Sequence, residues 1–253
     1  MTDVTKNPIK ATRTTFSIVE VLVRDNGASV TEVADSVGLA KSSVHNYLST
    51  LREMGYVTKE ETEYHVGLGF LELGEVARNR QAVYEAAKPE MRRLAERTGE
   101  LVNLLVEEAG RGIFIHREVG ERGVTVDAHI GQRVYLHSTA VGKAILAHLP
   151  ADRVRRILDQ HGLPAVTEQT IVDRRALRGD LERIRERGVA FDREERRRGL
   201  RCVAAPIRDG DGGVEAAISV SGPANRMRGE RFERDLPSLL ENAADVIALR
   251  FEQ

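Results

Sequence analysis

Two stretches of this 253-residue sequence hold side chains whose types and spacing suit chemistry. In "AAISVSG", Ser219 and Ser221 stand two apart in an otherwise apolar run, so in a strand both hydroxyls face one side. Paired hydroxyls facing a core need hydrogen-bond partners. A polar ligand supplies them on one reading, and neighbouring backbone supplies them on the other. In "LAKSSVHNYLSTLR", the outward face of a helix would show Lys41, Ser42, Ser43, His45, Asn46, Ser49 and Arg52. These are small or hydrogen-bonding groups near a helix N-terminus, the place where a recognition helix meets base edges. No acidic residue lies between Lys41 and Arg52, so the local charge suits a phosphate backbone.

Other groups weigh less. Arg196, Arg197 and Arg198 beside Arg201 form a basic run, which reads first as a solvated face and second as an anion-attracting rim. His116, His129 and His137 alternate with apolar residues, but they lie in no tight ligand motif, so no metal site is assigned. Cys202 has no local activating group and reads as a small buried residue rather than a nucleophile. No phosphate loop or dinucleotide fingerprint is present, so no cofactor is expected.

The elements that must position these groups follow from periodicity. "ATRTTFSIVEVLVRDNG" puts Phe16, Val19, Leu22 and Val23 on one helical face, and Asn26-Gly27 stops it. Ser29 and Glu32 have capping-box spacing and open a second helix with Val33, Ala34 and Val37 inward. Gly38 ends that helix, and a third follows with Val44, Leu48 and Leu51 inward. "YVTKEETEYHVG" then reads as a hairpin. The order is that of a helix-turn-helix with a wing. The competing readings are a three-helix packing unit, or a winged helix used for protein contact. Asn46 is expected to read a base, and Arg13, Lys41 and Lys59 to contact phosphates.

"LGFLELGEVARNRQAVYEAAKPEMRRLAERTGE" is helical, with Phe70, Leu71, Leu73 and Val76 in one apolar cluster and Met91, Leu94 and Ala95 in another. Pro89 is expected in a first helical turn. The first cluster could pack on its own domain; dimerisation is preferred, since two-fold DNA readers need it. From Leu101 the period becomes two. "LVNLLVEE", "IFIHRE", "VTVDAHI" and "RVYLH" read as strands. "STAVGKAILAHL" is a helix capped by Ser138 or Thr139; "ADRVRRILDQHG" and "DRRALRGDLERIRERG" are two more. Strands resume at "GVAFD", "LRCVAAPI" and "VEAAISVSG", and a helical region runs from about Glu230 to Phe251 with a restart at Pro237. Strands, then helices, then strands joined by a glycine-rich turn give an α+β domain with an antiparallel sheet.

The bulk numbers allow this and name no partner. The length suits two domains. The formal charge is −1, and residues 1–60 hold seven Lys/Arg against seven Asp/Glu, so nucleic-acid binding must rest on pattern rather than composition. One cysteine excludes an intrachain disulfide framework. The start "MTDVTKNPIK" is not a signal peptide, and no run approaches a membrane span. A cytoplasmic protein without a membrane partner is expected.

"GVAFDREERRRGLRCVAAPIRD" resembles the signature of the IclR family of transcriptional regulators. Gly188, Asp192, Glu195, Cys202, Val203, Ala204, Ile207 and Asp209 fit it. Arg208 departs where an aromatic or His is usual, and reads as a surface variation. The likeness extends to "GLAKSSVHNYLSTLREMGYV", "HSTAVGKAIL" and "AAISVSGP", nearly the whole chain. It implies a winged helix-turn-helix over residues 1–67, a linker helix over 68–87 and a GAF-like effector domain over 88–253. It also implies a homodimer or homotetramer that binds operator DNA and answers to a small metabolite, often a carboxylate. The implied effector residues are those matching Ala140, Val141, Asp192, Cys202, Ser219 and Ser221, with Ala140-Val141 standing where relatives often carry Gly-Ala. The chain is thus expected to be no enzyme. The alternative is a small-molecule-binding protein or enzyme whose N-terminal domain serves only assembly.

Overall fold

The structure, a computed structural model, describes residues 7–124 and 129–251. Its contacts divide the chain into two units, residues 1–80 and 81–253.

The first unit opens with α1 (Lys10–Arg24), stopped by Asn26 and Gly27 at positive φ. β1 (Ala28–Ser29) leads into α2 (Val30–Val37). There Ser29 Oγ accepts from Glu32 N, and Glu32 Oε2 accepts from Ser29 N at 2.8 Å. This reciprocal cap contributes about 1 kcal/mol. Gly38 ends α2 in the left-handed region, and α3 (Lys41–Glu53) follows. β2 (Val57–Glu60) and β3 (Glu63–Val66) form the wing, and β1 pairs with β3 to make three strands. Ile18, Leu22, Val33, Val44, Leu48, Val57 and Tyr64 form the core. The expected face of α1 is turned. Ile18, Val19, Val21 and Leu22 are buried, while Phe16 and Val23 are exposed. Ile18 and Leu22, one turn apart, point at the core, and Phe16 and Val23 fall to its sides.

The expected linker helix over 68–87 is two helices. α4 (Gly69–Asn79) closes the first unit and α5 (Ala82–Thr98) opens the second, with extended Gln81 as the N-cap of α5. Pro89, expected in a first turn, lies inside α5. It forgoes one intrahelical bond. The packing of Ala87, Met91 and Leu94 against the sheet holds the helix through it.

The second unit is built on one antiparallel sheet: β4 (Leu101–Glu108), β5 (Arg111–Val119), β6 (Arg133–Val134), β7 (Ala190–Arg193), β8 (Leu200–Arg208) and β9 (Val214–Pro223), in the order β6-β5-β4-β9-β8-β7. The expected strand "RVYLH" yields only β6, because the chain turns at Leu136–Ser138 into a 3-10 helix. Much of the expected strand "VTVDAHI" lies outside the described residues. α6 (Ala140–His148), α7 (Ala151–His161) and α8 (Arg174–Arg187) cover one face of the sheet. α5 and α9 (Leu236–Phe251), the latter entered through a π-helical turn at Arg231–Asp235, cover the other. Period-two alternation sorts the strands between these layers. Val102, Leu104, Val203, Ala205, Ile218 and Val220 face α5 and α9; Leu105, Ala190, Cys202, Ala204 and Ala217 face α6 to α8.

Candidate functional site

The same alternation puts Leu101, Asn103, Asp192, Cys202, Ser219 and Ser221 on the α6 side. Register then sets them in rows. Leu101 pairs with Ser221, Ser221 with Cys202 and Cys202 with Asp192, a single row across four strands. Asn103 and Ser219 pair in the adjacent row. The start of α6 closes the space above them. Thr139, not Ser138, is its N-cap and accepts from Gly142 N at 3.0 Å. A Cβ on Gly142 would stand 2.2 Å from the Leu136 carbonyl oxygen, so only glycine lets α6 lie this close to the preceding turn. Lys143 N bonds the Thr139 carbonyl. The earlier N–H groups, of Ala140 and Val141, have no intrahelical acceptor, as first-turn groups do not.

Ala140, Val141, Asp192, Cys202, Ser219 and Ser221 therefore line one cavity of about 20 Å3, with Asn103, Phe114, Thr139 and Arg196. Both serines are buried, and Ser221 Oγ accepts from Asn103 Nδ2 at 3.3 Å. Cys202 and Ser221 stand opposite each other on β8 and β9. Burial pushes the Cys202 thiol pKa far up, while the Ser221 hydroxyl acts to lower it, so Cys202 is no nucleophile at neutral pH. Asp192 Oδ1 accepts from Glu195 N at 2.7 Å. Burial first, then the neighbouring Glu195, push the Asp192 carboxyl to about 7, against backbone hydrogen bonds from Glu195 and Arg196 and the charge of Lys143.

Behind Asp192 lies a buried ion cluster. Lys143 Nζ reaches Glu195 Oε1 at 2.6 Å and Asp180 Oδ2 at 3.0 Å, and only 2% of the lysine is exposed. Burial pushes Glu195 up and Lys143 holds it down, with a net rise. For Asp180 burial also acts upward, but Lys143, Arg187 and Arg183 outweigh it, with a net fall. The cluster ties α6, α8 and the turn after β7 together, so it fixes the frame of the cavity.

The N-terminal candidates belong to the first unit. On α3, Lys41, Ser42, His45, Asn46 and Arg52 are exposed, and Ser43 is half-buried. Ser42 leads the face, His45 and Asn46 flank it on opposite sides, and Asn46 borders an apolar groove with Phe16, Met54 and Leu73. Ala40 gives α3 no side-chain cap, which leaves its first N–H groups open to an anion. Arg13 is exposed beside Lys10 in a polar cleft on α1, and Lys59 stands over the Tyr64 ring. The wing tip is acidic: Glu60, Glu61 and Glu63 are exposed.

The comparisons with known proteins agree from both ends of the chain. The IclR helix-turn-helix domain model matches residues 14–61, and the bacterial transcriptional regulator IclR C-terminal model matches residues 76–248. This chain is a member of the IclR family. It is similar to the HTH-type transcriptional regulator BhcR of Paracoccus denitrificans, 35% identical over 94% of this chain and 86% of that protein. It is also similar to the HTH-type transcriptional regulator KdgR of Escherichia coli, 33% identical over 97% and 95%. The crystal structure of the Thermotoga maritima IclR matches with a TM-score of 0.81 at 31% identity, over 96% of this chain and 99% of that one. The chain is therefore a transcriptional regulator rather than an enzyme, with an α+β architecture of helix-turn-helix and C-terminal IclR domain.

Within this IclR-family protein, Arg208 is exposed at the end of β8, where its departure from the family signature meets solvent. Arg197 and Arg198 are exposed as a solvated run requires. Arg196 departs from that reading. It lines the cavity, stacks 5.0 Å from the Phe114 ring centroid and donates to Gln132 Oε1 at 2.9 Å. His116 pairs with Glu118, and buried His137 bonds the Pro164 carbonyl. Among the described residues no cluster of His, Cys, Asp or Glu could hold a metal. Sequence reasoning missed Asn103 and Thr139 as cavity residues. Asn103 did carry a signal, a lone amide in the apolar run "LVNLLV".

Proposed function

We propose that this regulator binds operator DNA through α3, and that a small carboxylate in the β4–β9–β8–β7 cavity modulates that binding. Asn46 reads a base edge, with Ser42, Ser43 and His45 beside it. Lys41 at the open end of α3, Arg13 on α1, Arg52 and Lys59 meet phosphates. The acidic tip beyond Lys59 keeps the wing's end off the backbone. In the cavity, Ser219 and Ser221 orient the ligand, Ala140 and Val141 give N–H groups to its anionic end, and Asp192 and Cys202 close the far side.

One observation carries the effector reading: six residues spread from position 140 to position 221 line a single cavity at the start of a helix. A buried surface of that polarity, with free N–H groups, suits an anion better than a core. α4 buries none of its residues, and Leu68, Leu71, Leu73 and Val76 are exposed, which supports assembly into a homodimer or tetramer. Among the described residues no helix is long and apolar enough to cross a membrane, which fits a cytoplasmic regulator.

The test has two arms. Mapping the DNA bound in cells gives an operator and neighbouring genes, and calorimetric titration of small carboxylates into the full chain gives the ligand. Retention on DNA that is indifferent to sequence at every salt concentration removes the first half of the reading. Ligand affinities equal in the wild type, Ser219→Ala and Ser221→Ala remove the second.

A further inference from the structure

A groove of about 400 Å3 runs between α7 and α8, beside the end of α6. Arg174, at the start of α8, donates to the Leu158 carbonyl at 3.1 Å and to Asp159 Oδ1 at 2.6 Å, near the end of α7. Arg185, near the end of α8, donates to the Ala147 carbonyl at 3.1 Å, shortly before α7 begins. The two helices therefore run antiparallel, and the groove lies along both. Its floor is apolar. Leu146, Leu158, Leu177 and Leu181 are buried beneath it, and Leu149 and Val154 are half-buried at its side. Its rim is basic, with Arg155 on the α7 bank and Arg178 and Arg185 on the α8 bank. Among the described residues that line it, Glu182 is the one carboxylate.

Charge is gathered here. The whole chain carries −1, yet α7 and α8 hold nine arginines against five carboxylates. Those carboxylates are not shared evenly. Arg156, Arg174 and Arg183 pair with Asp152, Asp159 and Asp180, and Arg153 pairs with Glu107. Arg155, Arg178 and Arg185, which line the groove, form no ion pair among the described residues. The guanidinium groups left without a counter-ion therefore border the apolar floor. A solvated basic face needs no such floor, and a nucleic-acid backbone would leave it unused. The volume is that of a small-ligand cleft, which runs about 300–1,000 Å3.

We propose that this groove is a second ligand site and that it takes an amphipathic anion, an unbranched aliphatic chain ending in a carboxylate. The chain lies along the leucine floor, and the carboxylate sits between Arg155 and Arg178. No residue lines both this groove and the cavity at the start of α6, so the two sites are distinct.

Octanoate, acetate and 1-octanol, titrated calorimetrically into the full chain, separate the two halves of the site. Octanoate is expected to bind about tenfold or more tightly than acetate, which lacks the chain, and than 1-octanol, which lacks the charge. Arg155→Gln combined with Arg178→Gln, both at exposed positions, is expected to bring octanoate down to the level of 1-octanol. Ala151→Phe, which adds a ring to the groove wall at another exposed position, is expected to weaken octanoate and 1-octanol together. Binding of 1-octanol as tight as that of octanoate would remove the arginines from the site, and equally tight acetate would remove the floor; either result overturns the proposal. Octanoate binding left intact by the double arginine variant would place the acid elsewhere, and no binding of octanoate would leave the groove a solvated basic face. Both of these overturn it as well.

Discussion

On α3, Lys41, Ser42, His45 and Asn46 project from a single helix into solvent, whereas Asn103, Asp192, Cys202, Ser219 and Ser221 come from four strands and are buried. The exposed face is held by residues that take no part in it: Val44, Leu48 and Leu51 point the other way, into the core. The cavity residues are themselves part of the packing between sheet and helices. An exposed face can therefore change its side chains at little cost to folding, while a buried site ties recognition to stability. The contrast also separates functions. A surface face can meet a large partner such as DNA, and an enclosed one can only take a small molecule.

The sharpest break of this contrast is at Lys143. Removing its charge leaves Glu195 buried without its cation and Asp180 with Arg183 alone, so Lys143→Met is expected to cost about 3–5 kcal/mol. Denaturant unfolding followed on the second unit checks this, with Ser42→Ala on α3 as the contrast, expected within about 0.5 kcal/mol. Equal effects would erase the distinction between the two regions.

Asp192 sharpens the comparison through pH. Its carboxyl is raised from 3.8 to about 7 in the fold, so the folded chain holds a proton that the unfolded chain has lost. Its contribution is complete below the unfolded value and lost as pH rises through about 7. Glu195, also raised, works in the same direction, and Asp180, lowered, in the opposite one. Lys143 and Arg196 also face this group. Relative to Asp192→Asn, the wild type is expected to lose stability between those two pH values, at no more than about 1.4 kcal/mol per pH unit. Parallel pH profiles of the two proteins would remove the raised carboxyl.

Ligand and DNA affinities give the next effects. Ser219→Ala and Ser221→Ala are each expected to weaken effector binding by about 1–3 kcal/mol, with DNA affinity in the absence of ligand unchanged. Calorimetry and a gel-shift titration read the two quantities separately. Asn46→Ala is expected to do the reverse, costing about 1–3 kcal/mol at the operator and relaxing the preference at one base pair, with effector affinity unchanged. A panel of single-base operator variants decides it. The same response to every base would take Asn46 out of sequence reading and leave it as the rim of the apolar groove. The smallest effect belongs to the phosphate contacts. Neutralising Arg13, Lys41 or Lys59 one at a time is expected to lower the salt slope by about one unit per protomer. Lys59, next to the acidic wing tip, is the most informative of the three.

The sequence by itself determined the elements whose signals are local. The Ser29–Glu32 cap, the stops at Gly27 and Gly38, the inward row of Val44, Leu48 and Leu51, and the period-two strands all depend on neighbours within a few residues. The cap, the stops, the inward row and the strands at β4, β5, β7, β8 and β9 are found where periodicity put them, while "RVYLH" shortens to β6. The motif around Asp192 and Cys202 likewise named the family. Only the tertiary structure decided which face of α1 turns inward, that the helix after residue 68 breaks at Arg80–Gln81, and that Pro89 lies within a helix, because packing outweighs local preference there. It also decided that Arg196 leaves its solvated run for the cavity and that Asn103 stands beside Ser219 with a bare oxygen. Those facts depend on strand register and on the approach of α6 across the sheet, which join residues more than a hundred positions apart. No spacing along the chain encodes that distance.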